Sequence, residues 1–266
     1  MNFDLGGRTA YAYTGGKPWQ PAPQAIVFVH GALNDHSVWT LLARWYAHHG
    51  LPALAVDLPG HGRSSGPPGD SIEALADWLF ALLDAAGVGQ AYFVGHSMGS
   101  LIALEACARH PGRASGLVMV GTAYPMKVSP ALLETARGQP GRAIDMVNAF
   151  SHSGIAAKPS YPGPGAWLHG GGRALMHRIQ GLGEGNLFEH DFRLCDRYAH
   201  GLEAAAAVNC PVSLIVGERD VMTPPRATAE LVQALQARVM RVRAGHALMQ
   251  EAPDAVLNAM RQAVPV

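Results

Sequence analysis

The chain has 266 residues, 48% of them apolar, and its 20 basic and 20 acidic side chains cancel to a formal charge of zero. That length fits one large domain or one domain carrying an insertion, with enough apolar material for a substantial core. The charge balance lacks the basic excess of a nucleic-acid binder and gives no long-range pull toward anionic membranes, so the expected substrate is small and mostly neutral or apolar.

Three cysteines, Cys107, Cys195 and Cys210, form no C-x-x-C pair, and their odd number argues against a disulfide framework; they read as small core residues. Met1 to Leu5 has neither the basic region nor the apolar core of a signal peptide. No apolar run reaches the roughly 18–20 residues of a membrane helix, so no integral membrane segment is expected, and a cytoplasmic location is the default.

In chain order, Arg8 to Tyr13 alternates like a strand and ends at Gly15-Gly16. Ala25 to Val29 is an unbroken apolar run, as in a strand buried on both faces. His36 to His48 has helical spacing, and Ala53 to Val56 is a second buried strand stopped by Pro59 and Gly60. Ser71 caps a helix whose stripe runs through Ile72, Leu75, Leu79, Leu82 and Leu83. Ala91 to Val94 and Leu117 to Val120 read as strands on either side of a helix from Met98 to Arg109.

After Gly121 the rhythm changes. Helical stretches are expected near 131–137, 142–150, 174–179 and 192–207, with no buried strand, and the Pro- and Gly-rich run Lys158 to Gly172 is expected to hold no regular helix. From Pro211 the alternation resumes, with strands at 212–216 and 239–242 and helices at 226–237 and 255–263. The expected architecture is α/β: a mostly parallel twisted sheet with helices on both faces, formed by residues 1–121 and 208–266, with 122–207 inserted as a helical cap or lid. Ligands of such sheets bind beyond the carboxyl ends of the strands.

The strongest chemical signal lies there. Gly95-His96-Ser97-Met98-Gly99 follows an apolar strand and precedes a helix, the context that G-x-S-x-G requires. A serine on a sharp strand-to-helix turn is strained and projected outward, and its flanking positions need glycine so that backbones can approach. A hydroxyl is a poor nucleophile without a base. The last histidine of the chain, His246, follows the final strand and Gly245, and is the candidate general base. The orienting acid is sought in Gly217-Glu218-Arg219-Asp220. Both carboxylates compete, but Asp220 lies deeper in the loop, while Glu218 suits a turn or ion pair. The strand before the insertion is followed by Gly121-Thr122-Ala123, which offers no carboxylate. Oxyanion donors are expected at the Met98 amide, on a helix N-terminus, and at the Ala32 amide in His30-Gly31-Ala32-Leu33-Asn34, with Leu33 as runner-up. His30 is assigned an orienting or packing role.

Together with Asp57-Leu58-Pro59-Gly60-His61-Gly62-Arg63-Ser64, these motifs resemble the α/β-hydrolase fold superfamily over about residues 8 to 263. The resemblance implies a carboxylic-ester hydrolase with a helical cap, acting without a cofactor, and a pocket rim shaped by 57–64. Serine at the elbow argues against the dehalogenase-like and epoxide-hydrolase-like members, which carry aspartate there. It leaves open C–C bond hydrolysis, acyl transfer or lyase chemistry on the same triad, and a slow-turnover ligand receptor.

The expected cap holds His152, His169, His177, His190 and His200, whose spacing fits no metal pattern; they read as surface residues and no metal is expected. Trp167 and Tyr161 suit a mobile lid or a plain surface loop. Met98, Met126, Met146, Met176 and Met249 could furnish an adaptable apolar pocket, with core packing as the default. Acyl length, alcohol portion and oligomeric state are not readable.

Overall fold

A computed structural model describes residues 1–183 and 185–266. Eight strands form one sheet in the order β1-β2-β4-β3-β5-β6-β7-β8, comprising β1 (Asn2–Asp4), β2 (Thr9–Tyr13), β3 (Ala22–Val29), β4 (Ala53–Val56), β5 (Val88–His96), β6 (Ala114–Val120), β7 (Val212–Gly217) and β8 (Arg238–Val242). β1 and β2 pair antiparallel at one edge, and every pair from β3·β4 to β7·β8 is parallel. The expected strands all form; β1, too short to show a pattern, was not expected.

The sheet is buried on both faces because the inner stretches of its central strands, at 25–29, 93–94, 117–120 and 214–216, are apolar throughout. Val27 and Val29 point into one core with α2 (Ile72–Ala85) and α3 (Met98–Arg109), while Ile26 and Phe28 point into the other with α1 (Thr40–His48) and the C-terminal α11 (Pro253–Ala263). Ser71 does cap α2, its side chain accepting from the Ala74 amide.

Between β6 and β7 lie α4 (Pro130–Gly138), α5 (Pro140–Ser151), α6 (Leu168–Gln180), α7 (Leu187–Arg197) and α8 (Gly201–Ala207). Helices α4 to α7 share a separate apolar cluster, built on Ile144, Ile179, Phe188 and Phe192, into which Leu33 reaches from the β3 loop. Beyond β7 come α9 (Ala229–Leu235), after β7, and α10 (Leu248–Glu251), after β8.

Two expectations for this region are corrected. Helix α6 begins at Leu168 and runs through Gly170–Gly172, so the glycine run does not exclude a helix. A Cβ on Gly172 would lie 2.9 Å from Asn148 Oδ1, so the missing side chain lets α6 sit close on α5, and Asn148 Nδ2 donates to the His169 carbonyl at 2.9 Å. Close packing there offsets the roughly 1 kcal/mol that each helical glycine costs. The single helix expected at 192–207 is two, broken at Tyr198, whose backbone is extended and whose hydroxyl donates to Glu105 at 2.7 Å. Ala204, Ala205 and Tyr198 belong to the main core, as do Leu194 and Cys195 of α7. Among the described residues, no helix is long and apolar enough to cross a membrane.

Candidate active site

Ser97 stands between β5 and α3 with φ 51° and ψ −121°, a left-handed conformation that a serine holds only under constraint. Its amide is held by the Val120 carbonyl at 3.0 Å. The flanking glycines are needed for contact: a Cβ at Gly95 would lie 2.0 Å from the Gly99 carbonyl oxygen, and one at Gly99 would lie 2.4 Å from that of Val29. The half-buried Ser97 and the buried His246 face one cavity.

His246 is held from three sides. Its Nδ1 lies 2.8 Å from Asp220 Oδ2 and 3.1 Å from the Thr223 hydroxyl, which itself donates to Asp220 Oδ2 at 2.7 Å. The other carboxylate oxygen accepts from the Met222 and Thr223 amides at 2.8 and 2.9 Å. Burial alone would raise the Asp220 pKa, but the neighbouring His246 and these hydrogen bonds outweigh it, and the carboxyl is held below its usual range. A proton on Nδ1 is thereby fixed, leaving Nε2 to face the cavity; among the described residues no hydrogen bond joins it to Ser97 Oγ. Glu218 is the exposed partner of Arg243 at 3.9 Å.

Thr223 and His96 were not singled out by sequence reasoning. A hydroxyl three residues beyond the carboxylate was the available signal for Thr223. His96, the variable second position of the elbow, donates from Nε2 to the His246 backbone carbonyl at 2.9 Å, and the two rings lie 4.7 Å apart. Full burial, then the proximity of His246, pushes its pKa down to about 3, so it is neutral. Gly245 has no room for a side chain: a Cβ would lie 2.7 Å from the Ser153 amide nitrogen and 2.8 Å from Glu251 Oε1.

The amides expected as oxyanion donors belong to Ala32, in the loop after β3, and to Met98. Met98 opens α3, so no helical carbonyl precedes its amide. The Leu33 amide is committed to Asp191 Oδ2 at 3.0 Å, while among the described residues no backbone or side-chain acceptor engages that of Ala32. His30 Nδ1 donates to the Gly31 carbonyl at 2.8 Å and Nε2 accepts from the Leu58 amide at 3.1 Å. Burial, with His61 beside it, drives its pKa down to about 4. It is a packed orienting residue rather than a base.

None of the residues 57–64 lines the cavity at Ser97, which corrects the expectation of a pocket rim. Asp57 ties the loop internally, accepting from the His36 amide and Nδ1 and from the Arg63 amide. His61 Nε2 lies 2.9 Å from Asp191 Oδ2, so the motif reaches the site through α7. Asp35, His36 and Asp57 are the one group among the described residues with three ligand atoms close enough for a metal ion, yet these carboxylates already serve Ser37, Arg178, His36 and Arg63. Of the cap histidines, only His152 is buried, against the expectation of surface residues, and it lines the cavity. Trp167 is exposed and stacks on His169. Met176, Met222 and Met249 line the cavity; Met98 is core.

A family model of the α/β-hydrolase fold matches residues 24–160, from the start of the parallel sheet past the nucleophile elbow. The chain belongs to this family. It is similar to the lipase LipV of Mycobacterium tuberculosis, 30% identical over 228 residues that span 81% of this chain and 75% of that one. It is also similar to a pimeloyl-acyl-carrier-protein methyl ester esterase of Chromobacterium violaceum, 30% identical over 90% of this chain and 85% of that one. A solved structure described as an N-acyl homoserine lactone degrading enzyme superposes with a TM-score of 0.82 over 99% of this chain and 100% of that one at 21% identity, which speaks to the fold. In this chain the Gly95–Gly99 turn follows the central strand β5.

Proposed function

We propose that the protein hydrolyses small, largely apolar carboxylic esters through an acyl-enzyme on Ser97. The observation that carries this reading is the 2.8 Å contact between His246 Nδ1 and Asp220 Oδ2, which aims the other imidazole nitrogen into the cavity that holds a strained serine. Relatives named lipase and methyl ester esterase support the reaction class.

Rotation of the Ser97 side chain brings its hydroxyl to His246 Nε2, a contact that tightens when substrate is bound. His246 takes the proton as Ser97 Oγ attacks the ester carbonyl. The oxyanion is met by the Ala32 and Met98 amides. His246 then passes its proton to the leaving alcohol, and the acyl-enzyme remains. Water enters, gives a proton to the same nitrogen and attacks the acyl carbonyl; the nitrogen then returns that proton to Ser97 Oγ as the acyl–oxygen bond breaks and the acid leaves. Asp220 stays ionised throughout and stabilises the imidazolium. Thr223 and His96 fix the ring without touching the reacting atoms. Helices α4 to α7 serve as the cap, covering the cavity that holds the serine. A cytoplasmic location accompanies this reading.

The test is labelling with a fluorophosphonate followed by mapping of the adduct, beside a panel of p-nitrophenyl esters. The adduct is expected on Ser97, lost in Ser97→Ala and strongly reduced in His246→Ala. Labelling without turnover of any ester would redirect the reading to C–C cleavage, acyl transfer or a lyase reaction; no labelling at Ser97 would end it.

A further inference from the structure

Ser97 lies at the junction of two lobes, with Phe192 and Met222 lining both. One lobe is walled largely by apolar side chains, among them Met126, Leu132 and Phe150. The other is walled by α5, and that wall is polar in a particular way.

Asn148, Ser151 and His152 all face the second lobe. Asn148 Nδ2 donates to the His169 carbonyl at 2.9 Å, the Ser151 hydroxyl to the Val147 carbonyl at 2.8 Å, and His152 Nδ1 lies 3.0 Å from the Asn148 carbonyl. A carbonyl oxygen can only accept, so each contact fixes a proton on the side-chain atom that makes it. The amide orientation of Asn148 and the tautomer of His152 follow. These contacts leave an accepting side on each group, Asn148 Oδ1, the lone pairs of Ser151 Oγ and His152 Nε2, beside the second proton of Asn148 Nδ2.

Among the described residues, His152 Nε2 has no hydrogen-bond partner, although its residue is only 8% exposed. A buried polar atom left unpaired costs about 1–3 kcal/mol, and such atoms cluster where a ligand completes them. The space between the acceptors is kept open by a glycine: a Cβ on Gly172, which lines the same lobe, would lie 2.9 Å from Asn148 Oδ1 and 3.6 Å from His152 Nε2. Among the described residues, no Asp, Glu, Lys or Arg lines this lobe, so none of them balances a full charge on a ligand there.

We propose that this lobe selects esters bearing a neutral hydrogen-bond donor, an alcohol hydroxyl or an amide N–H, on the portion that extends from the scissile carbonyl along α5, with His152 and Asn148 as the reading residues. The inference rests on the ester-hydrolase reading above and adds the chemistry of the substrate to it.

The experiment uses two matched series at several chain lengths. In one the acyl portion ends in methyl, hydroxymethyl or carboxylate, as p-nitrophenyl esters. In the other the alcohol portion carries the same three ends, as acetates. The expected result is a kcat/KM at least about tenfold higher for the hydroxyl than for the methyl member in one series, since a site built around a polar contact rejects the analogue that lacks it. That ratio is expected to fall toward one in His152→Phe and in Gly172→Ala, mainly through KM for the hydroxyl ester. Near-equal rates for hydroxyl and methyl members in both series would overturn the proposal while leaving ester hydrolysis intact. A preference for the carboxylate, or a hydroxyl preference that survives in a folded His152→Phe, would overturn it as well. If every ester of both series is inert, this proposal and the functional reading fall together, and fluorophosphonate labelling shows whether the triad survives.

Discussion

Asp191, on α7, accepts a hydrogen bond at 3.0 Å from the amide of Leu33, 158 residues earlier in the chain. Leu33 has φ 51°, a left-handed backbone that costs a branched residue of the order of 1–3 kcal/mol. The carboxylate holds that turn, and with it the amide of Ala32 one residue before. Its other tie is to His61, whose pKa burial lowers but Asp191 raises, with the net shift upward. Asp191→Asn keeps the shape and removes the charge. The expected result is a drop of about tenfold to a hundredfold in kcat/KM for simple esters, with a stability loss of about 2–3 kcal/mol. Ester kinetics and thermal unfolding check it, and an unchanged kcat/KM would mean that the loop holds itself.

Asp220→Asn should leave the fold intact and lower kcat by about ten-thousandfold, because an amide no longer selects the Nδ1–H tautomer. Thr223→Val should do much less. It removes one hydrogen bond to Asp220 Oδ2, worth about 1 kcal/mol, or roughly fivefold in kcat. Steady-state kinetics on both variants separates the acid that orients the base from the hydroxyl that steadies the acid.

Acid should destabilise the protein well before its carboxylates titrate. His96 and His30 hold pKa values of about 3 and about 4 in the fold, both through burial first, against about 6.5 when unfolded. A depressed histidine is neutral in the native state, so its stabilising effect is complete above pH 6.5 and declines as pH falls from there toward the folded value. Between about pH 6 and 4.5 each should contribute up to about 1.4 kcal/mol of lost stability per pH unit. His61, shifted upward, works the opposite way and loses its contribution as pH rises past its folded value. Denaturant unfolding across pH should show this slope, and it should be shallower in His96→Gln. A flat profile between pH 6 and 4.5 would mean that the two rings are protonated in the fold.

Gly99→Ala should abolish folding or labelling at Ser97, since the added carbon would meet two backbone oxygens, those of Val29 and His30, at 2.4 and 2.5 Å. Backbone atoms cannot rotate away as a side chain can. Soluble expression and adduct yield are the measurements.

The sheet was legible because its central strands are apolar through their buried stretches, a pattern that needs no context, and because Gly95 and Gly99 flag a turn whose geometry admits nothing larger. Ser97, Asp220 and His246 could be placed from chain order and strand ends alone. What escaped were contacts between distant segments. Nothing at Asp191 marks it as the partner of Leu33 and His61, since it is one acid on an amphipathic helix. His152 read as a surface residue because burial of the insertion depends on how α5 meets α6, and that depends on a glycine whose effect is spatial. The break at Tyr198 was hidden for the same reason: its cause is Glu105, on a helix far upstream.

Helix α5 ends hard against the loop that carries His246. The Ser151 carbonyl accepts from the Ala247 amide at 2.9 Å, and Glu251 accepts from the Ser153 and Gly245 amides at 3.0 and 3.1 Å. That seam is expected to act as a hinge pin. Ligands are then expected to come and go past the exposed Val221, and the wall bearing Asn148 and His152 to keep its distance from the imidazole while they do. Amide exchange should accordingly be slow at Ala247 and Ser153 and fast around Val221; the reverse order would put the doorway at the seam.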